Sequence, residues 1–275
     1  MLCPSNQTPS DSLCILGLPL DENSSFRKGP SLAPAKIQQG YFCDSANLWT
    51  ESGIDLGSLD TLVDAGDVDC AGPAFEKIQA RVRELLEKNN KIICLGGDHS
   101  VTYPVIQAHA DRYPDLNILH LDAHPDLYDR LDGNRLSHAC PFARIMEKKL
   151  AKRLVQAGIR TMNGHQRRQA EKFGVQVHEM RHGMDWLETL EFNGPVYLSI
   201  DMDCLDPAFA PGVSHHEPGG MTTRQVLDII QTLKGNIIGG DIVEYNPDRD
   251  IMSMTAMTAA KLLKEFLARL YTTRS

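Results

Sequence analysis

Short apolar runs alternate with amphipathic stretches along nearly the whole chain. Eight runs predict strands: LCILGL from Leu13, LVDAGDV from Leu62, KIICL from Lys91, NILHLD from Asn117, LVQAGI from Leu154, VQVHEM from Val175, VYLSID from Val196 and NIIGGDIVE from Asn236. Their apolar residues are nearly continuous, as in strands covered on both faces. Helical periodicity fills the gaps. Phe75, Ile78, Val82, Leu85 and Leu86 fall on one face of AFEKIQARVRELLEK. Val226, Leu227, Ile229, Ile230 and Leu233 do so in the segment from Thr223, and Ala260, Leu263, Leu267 and Leu270 in the segment from Ala256. Strands alternating with helices predict an α/β protein: three α/β/α layers around a mostly parallel sheet of about eight strands. No repeat, low-complexity tract or linker divides the chain, so residues 1–275 read as a single domain, with 1–12 expected to be a disordered tail.

Sheets of this kind collect ligands at the carboxyl ends of their strands, and the chemically active residues follow the apolar runs accordingly. KIICL leads to His99, NILHL to Asp122, His124 and Asp126, VYLSI to Asp201 and Asp203, and NIIGG to Asp241 and Glu244. Residues at i and i+2 of extended backbone share a face, so Asp122 can lie beside His124 and Asp201 beside Asp203. Carboxylates gathered this way repel one another, and burying them is costly unless something compensates. Two divalent cations would offset the four charges of Asp122, Asp126, Asp201 and Asp203. Oxygen-rich ligation with some imidazole favours manganese over a thiolate-seeking metal; softness alone leaves iron, cobalt and nickel open. Such a pair of ions lowers the pKa of a shared water and yields a hydroxide nucleophile without serine or cysteine chemistry.

Composition narrows the partners. The formal net charge of −8 argues against nucleic acid and anionic membranes and accommodates a cationic substrate. Seven scattered cysteines without a C-x-x-C pair indicate a reducing compartment. The N-terminus lacks the basic and apolar blocks of a signal peptide, and no apolar run approaches membrane-spanning length; the expected location is cytoplasmic. His120 shares the parity of Asp122 but lies deeper in its strand, which suits a hydrogen-bonded core residue. His109, His165, His178 and His182, in polar surroundings, read as surface residues. His215 and His216 are candidates for the crevice lining, and Cys140 and Cys204 read as small buried apolar groups.

The motifs GGDHS, DAHPD, SIDMDCLDPAFAPG and DIVEYNP resemble those of the ureohydrolases, the manganese enzymes that include arginase and agmatinase. GLPLDENSSFRKGPSLAPAKI, SHACPFARIME and MTAMTAAKLLKE extend the resemblance, toward the plant-arginase-like branch. It implies an arginase-like fold with two Mn²⁺ per subunit. One would be held by His99, Asp122, Asp126 and Asp201, the other by Asp122, His124, Asp201 and Asp203, with Asp122 and Asp201 bridging. Asp126 would also accept a hydrogen bond from the bridging hydroxide. Glu244 would bind the substrate guanidinium and His138 would carry a proton to the leaving amine, so that Asp126, His138 and Glu244 form the catalytic set. The implied reaction converts L-arginine to L-ornithine and urea. Agmatine or another guanidino acid is the alternative substrate, and a non-catalytic binding member a more distant one. For the substrate's α-carboxylate the candidates are Asn134, Arg135 and Ser137, or Asn23, Ser24 and Ser25. Asn163 stands where animal arginases place an Asp for the α-amino group. The resemblance also implies a homo-oligomer, a trimer or hexamer.

Overall fold

A computed structural model describes residues 8–273. Eight strands form one sheet: β1 (Leu13–Leu18), β2 (Leu62–Asp67), β3 (Lys91–Gly96), β4 (Asn117–Leu121), β5 (Arg153–Ile159), β6 (Gln176–Glu179), β7 (Glu191–Asp201) and β8 (Lys234–Val243). All pairings between them are parallel, in the order β2-β1-β3-β8-β7-β4-β5-β6. Each predicted run is found as a strand. β7 begins before Val196, because its early residues continue the pairing with β8 from Glu191 opposite Lys234, across a register shift. Of the tail expected at 1–12, residues 1–7 lie outside the described residues, while Ser12 is buried and donates its backbone N–H to Asn90 Oδ1.

The helices are α1 (Ala33–Tyr41), α2 (Ala74–Glu87), α3 (Thr102–Arg112), α4 (Pro141–Glu147), α5 (Gly164–Phe173), α6 (Trp186–Thr189), α7 (Thr223–Thr232) and α8 (Met254–Thr272). They cover both faces of the sheet. Leu13 and Ile15 of β1 join a core with α1, α7 and α8. Cys14, Leu16 and Leu18 join the opposite core with α2, α3, α4 and α5. This alternation explains the nearly unbroken apolar runs, since both side-chain directions of each strand meet a helical layer. The predicted faces of α2, α7 and α8 are the ones buried: Ile78, Val82 and Leu85 are fully covered, as are Ile229, Ile230, Leu263 and Leu267. Thr222 and Gln225 close α7 with a reciprocal capping box, satisfying backbone donors that would otherwise lack partners.

His109 departs from its expected surface position and is completely buried in α3. The polar residues beside it occupy the outer face of the helix. Its own ring packs edge-on against Tyr197 and its Nδ1 donates to Val105 O at 3.0 Å.

The strand order positions the site. β3 and β4 are consecutive in sequence, yet β8 and β7 lie between them. The four central strands β3, β8, β7 and β4 therefore end side by side at the same edge, at a reversal of strand order where parallel sheets open a crevice. Close packing starts at once beyond β3. A Cβ on Gly97 would lie 1.8 Å from Leu20 O, so glycine permits the turn that delivers Asp98 and His99.

Candidate metal centre

His99 begins a short 3-10 turn capped by Asp98, whose carboxylate accepts the N–H of Ser100. Asp122 follows β4 directly. Its Oδ1 accepts the His124 N–H at 2.6 Å and its Oδ2 pairs with His120 Nε2 at 2.8 Å. Asp201 ends β7 and caps the next turn, accepting the Asp203 N–H at 2.8 Å. The Arg160 guanidinium clamps that turn from behind, donating to the carbonyls of Asp203 at 2.6 Å, Leu205 at 3.2 Å and Cys204 at 3.3 Å. Asp126 and Glu244 adopt left-handed backbone, with φ 48° and 62°, a conformation that side-chain-bearing residues adopt only where their surroundings enforce it.

These segments meet around two imidazoles. His99 Nδ1 lies 3.3 Å from Asp122 Oδ2, 3.1 Å from Asp126 Oδ2 and 3.2 Å from Asp201 Oδ2. This nitrogen is buried and makes no hydrogen bond, so three carboxylates surround an orphaned lone-pair position. His124 Nδ1 lies 3.1 Å from Asp203 Oδ2 and 3.4 Å from Asp122 Oδ1. Asp122 thus lies beside both imidazoles, whereas Asp201 pairs with His99 alone of the two. Among the described residues, no Lys or Arg pairs with any of the four carboxylates; their partners are histidines.

The electrostatics record this excess of negative charge. Burial alone would depress the His99 imidazole, but Asp122, Asp126 and Asp201 hold it well above its usual range. Burial opposes protonation of His124 too, yet Asp203 and Asp122 lift it to about 12. Burial, then Asp203 and Asp122, push Asp201 well up. Burial would also raise Asp122, but His120 and its other imidazole partners hold it well below the usual carboxylate range. Anionic oxygens and imidazole nitrogens at this density fit divalent cations.

His120 is near enough to count as a ligand with His99 and Asp122, but its nitrogens are engaged. The Gln156 amide donates to its Nδ1 at 3.0 Å and to Pro125 O at 2.6 Å. That leaves the His120 proton on Nε2, directed at Asp122. His120 is thus the hydrogen-bonded core residue its parity and depth suggest, and the structure adds that its Nε2 orients Asp122. Below His99, Ser199 and Asp241 form a second support, with Ser199 Oγ 3.1 Å from His99 Nε2.

A cavity of about 240 Å³ opens over the cluster, with His124, Asp126, Asp201 and Asp203 at its floor and His138 and Glu244 in its wall. Glu244 Oε1 accepts the His99 N–H at 2.8 Å and pairs with His138 Nδ1 at 2.9 Å. His138 Nε2 lies 2.8 Å from Ser25 Oγ. Burial would lower the His138 pKa, but Glu244 raises it to about 9.

Of the predicted contacts for the far end of the substrate, Ser25 and Asn163 line the cavity, as do His215 and Tyr128, the last unforeseen. Asn163 Nδ2 donates to Tyr128 OH at 2.6 Å, and its Oδ1 caps α5. Asn134 is outside the lining. It is held in a turn, accepting the Leu136 N–H and donating to Asn23 Oδ1. Arg135 is drawn away by Asp129 and Glu147. Ser24 reaches Asp98, and Ser137 lies buried outside the cavity lining. His216 is exposed and hydrogen-bonded to Pro211 O. Cys140 and Cys204 are buried; burial pushes the first thiol up to about 12 and holds the second well above its usual range, which leaves neither as a nucleophile.

Carboxylates and imidazoles held at the ends of four adjacent parallel strands form clusters that could hold metal ions, an arrangement suited to a hydrolase. The chain belongs to the arginase family, whose model matches residues 11–268, and so to the ureohydrolases its motifs resemble. It is 46% identical to arginase 1, mitochondrial, of Oryza sativa subsp. indica, over 94% of this chain and 82% of that protein. It is also 46% identical to arginase 1, mitochondrial, of Arabidopsis thaliana, over 94% and 81%. The solved arginase of Medicago truncatula superposes with a TM-score of 0.89 at 44% identity, covering 95% of this chain and 88% of that one. The rice and Arabidopsis relatives are named mitochondrial, which contradicts the cytoplasmic location expected from the sequence. That expectation rested on a missing signal-peptide pattern and scattered cysteines, and neither separates the cytosol from an organelle interior.

Proposed function

We propose that the protein hydrolyses L-arginine to L-ornithine and urea, using two manganese ions. The observation that carries this reading is His99 Nδ1, buried and unbonded among Asp122, Asp126 and Asp201, with Glu244 and His138 above it. His99, Asp122, Asp126 and Asp201 would hold one ion, and Asp122, His124, Asp201 and Asp203 the other. When bound, the ions supply Lewis-acid chemistry, activating water and stabilising the charge that develops during attack on the guanidinium carbon.

The protein's own groups do the rest. Glu244 Oε1 is fastened by the His99 N–H and His138, which leaves Oε2 to grip the planar guanidinium and hold its carbon over the floor. With Nδ1 directed at Glu244, His138 presents Nε2 to the cavity beside Ser25. Its raised pKa keeps it protonated near neutrality, so Nε2–H serves as the acid for the departing amine. Asp126 accepts a hydrogen bond from the attacking water and orients it.

A second reading, agmatine hydrolysis, is favoured by the chemistry of the mouth. Among the described residues, no Lys or Arg lines the cavity to meet a carboxylate, and Asn163 is neutral. Arginine's zwitterionic end would rely on Ser25, Tyr128 and Asn163. Manganese-dependent urea release from arginine, agmatine and 4-guanidinobutyrate decides. The highest kcat/KM is expected for arginine; a preference for agmatine would transfer the assignment.

A further inference from the structure

We propose that Asp241, acting through Ser199, is a positioning residue that fixes the proton of His99 on Nε2 and so reserves Nδ1 for a cation. The inference rests on the two-ion reading of the site and extends it below the ligands. Asp241 is fully buried, and among the described residues no Lys, Arg or His pairs with it in an ion pair. Its charge is met by three hydroxyl groups instead. Ser199 Oγ donates to Oδ1 at 2.6 Å, while Thr102 Oγ1 and Tyr197 OH donate to Oδ2 at 2.8 Å each. A buried carboxylate without a cation is costly, which calls for a reason beyond packing.

Proton accounting supplies one. An ionised carboxylate only accepts, and a hydroxyl has a single proton. All three hydroxyl protons therefore point at Asp241. Ser199, its proton spent, can only accept from its other neighbour, His99 Nε2, at 3.1 Å. Nε2 therefore keeps its proton in either charge state of the imidazole, so a cation that binds His99 displaces only the proton on Nδ1, which faces Asp122, Asp126 and Asp201. The sheet makes the arrangement rigid, because Ser199 and Asp241 are register partners across β7 and β8. An amide at position 241 would break the logic. Its NH₂ could donate to Ser199, which would then turn its own proton on Nε2 and drive the His99 proton to Nδ1.

The test is manganese titration of the metal-stripped full-length protein, by equilibrium dialysis with elemental analysis, on wild type, Asp241→Asn, Ser199→Ala, the double variant and Thr102→Val. Asp241→Asn is expected to weaken one of the two sites by about 10–100-fold and to spare the other. Ser199→Ala should weaken the same site, and the double variant should be no worse than Asp241→Asn, because both act through one chain of bonds. Thr102→Val, which leaves Ser199 and Tyr197 in place, should bind both ions as wild type does. Wild-type affinity in both Asp241→Asn and Ser199→Ala would overturn the relay, as would equal weakening by Thr102→Val. If Asp241→Asn fails to fold, Ser199→Ala decides alone. A wild type that binds no pair of ions would overturn the two-ion reading itself, and the relay with it.

Discussion

Glu244 accepts the backbone N–H of His99 at 2.8 Å through Oε1, so the carboxylate assigned to the substrate is fastened to the segment that carries a cation ligand. In the proposed site, substrate grip and metal position would therefore depend on one contact between the ends of β3 and β8.

Replacing Glu244 with Gln keeps an acceptor for that N–H and removes the charge. Both manganese ions should stay, while kcat/KM for arginine falls roughly 100-fold, mostly through KM. Steady-state kinetics beside a metal analysis check this; unchanged kinetic constants would remove Glu244 from substrate binding.

Asp122 touches both imidazole groups, at 3.3 Å from His99 Nδ1 and 3.4 Å from His124 Nδ1. Asp122→Ala should lose manganese from both positions and abolish urea release. Two ions per chain in the purified variant, by elemental analysis, would contradict a shared ligand.

His138 has a pKa of about 9, lifted from 6.5 against the effect of burial by Glu244. As a general acid it is protonated below that value, so turnover should decline as pH rises through about 9. His138→Asn should slow turnover about 100-fold, keep both ions and erase the alkaline decline. A profile of the same shape in the variant would exclude His138 from proton transfer.

His109 offers a pH test remote from the cavity. Burial lowers its pKa from 6.5 to about 4, so between these values the unfolded chain binds the proton that the folded chain refuses. Stability should rise from pH 4 to 6.5 and level off above, with up to about 3 kcal/mol from this residue. Denaturant unfolding of His109→Leu should show a shallower acid limb. An identical slope would assign the acid sensitivity to other groups.

All eight strands were legible because both faces of the sheet are covered, which writes each strand as an apolar block, and the polar residues after the blocks do converge on one crevice. Residues engaged sideways were harder to read. His109 lies among polar neighbours whose own side chains face outward, and burial in a helix depends on packing that a polar stretch does not announce. Asn134 and Arg135 have suitable donors, but local turns and ion pairs draw them off. Asp241 follows an apolar run in the sequence as the other acids do, yet it lies within β8 and its side chain turns into the sheet beneath His99, a difference set by its pairing with Ser199 across β7 and β8. Tyr128 acquires its place through Asn163, a partner distant in sequence.

The insertion of β8 and β7 between β3 and β4 also governs biosynthesis. His99, Asp122, His124, Asp126, Asp201 and Asp203 all leave the ribosome before β8 begins at Lys234. Until that last strand slides in, β3 and β7 keep open edges, which are sticky surfaces for a nascent polypeptide. Cutting the chain before β8 would thus dismantle the centre without deleting one of its six proposed ligands.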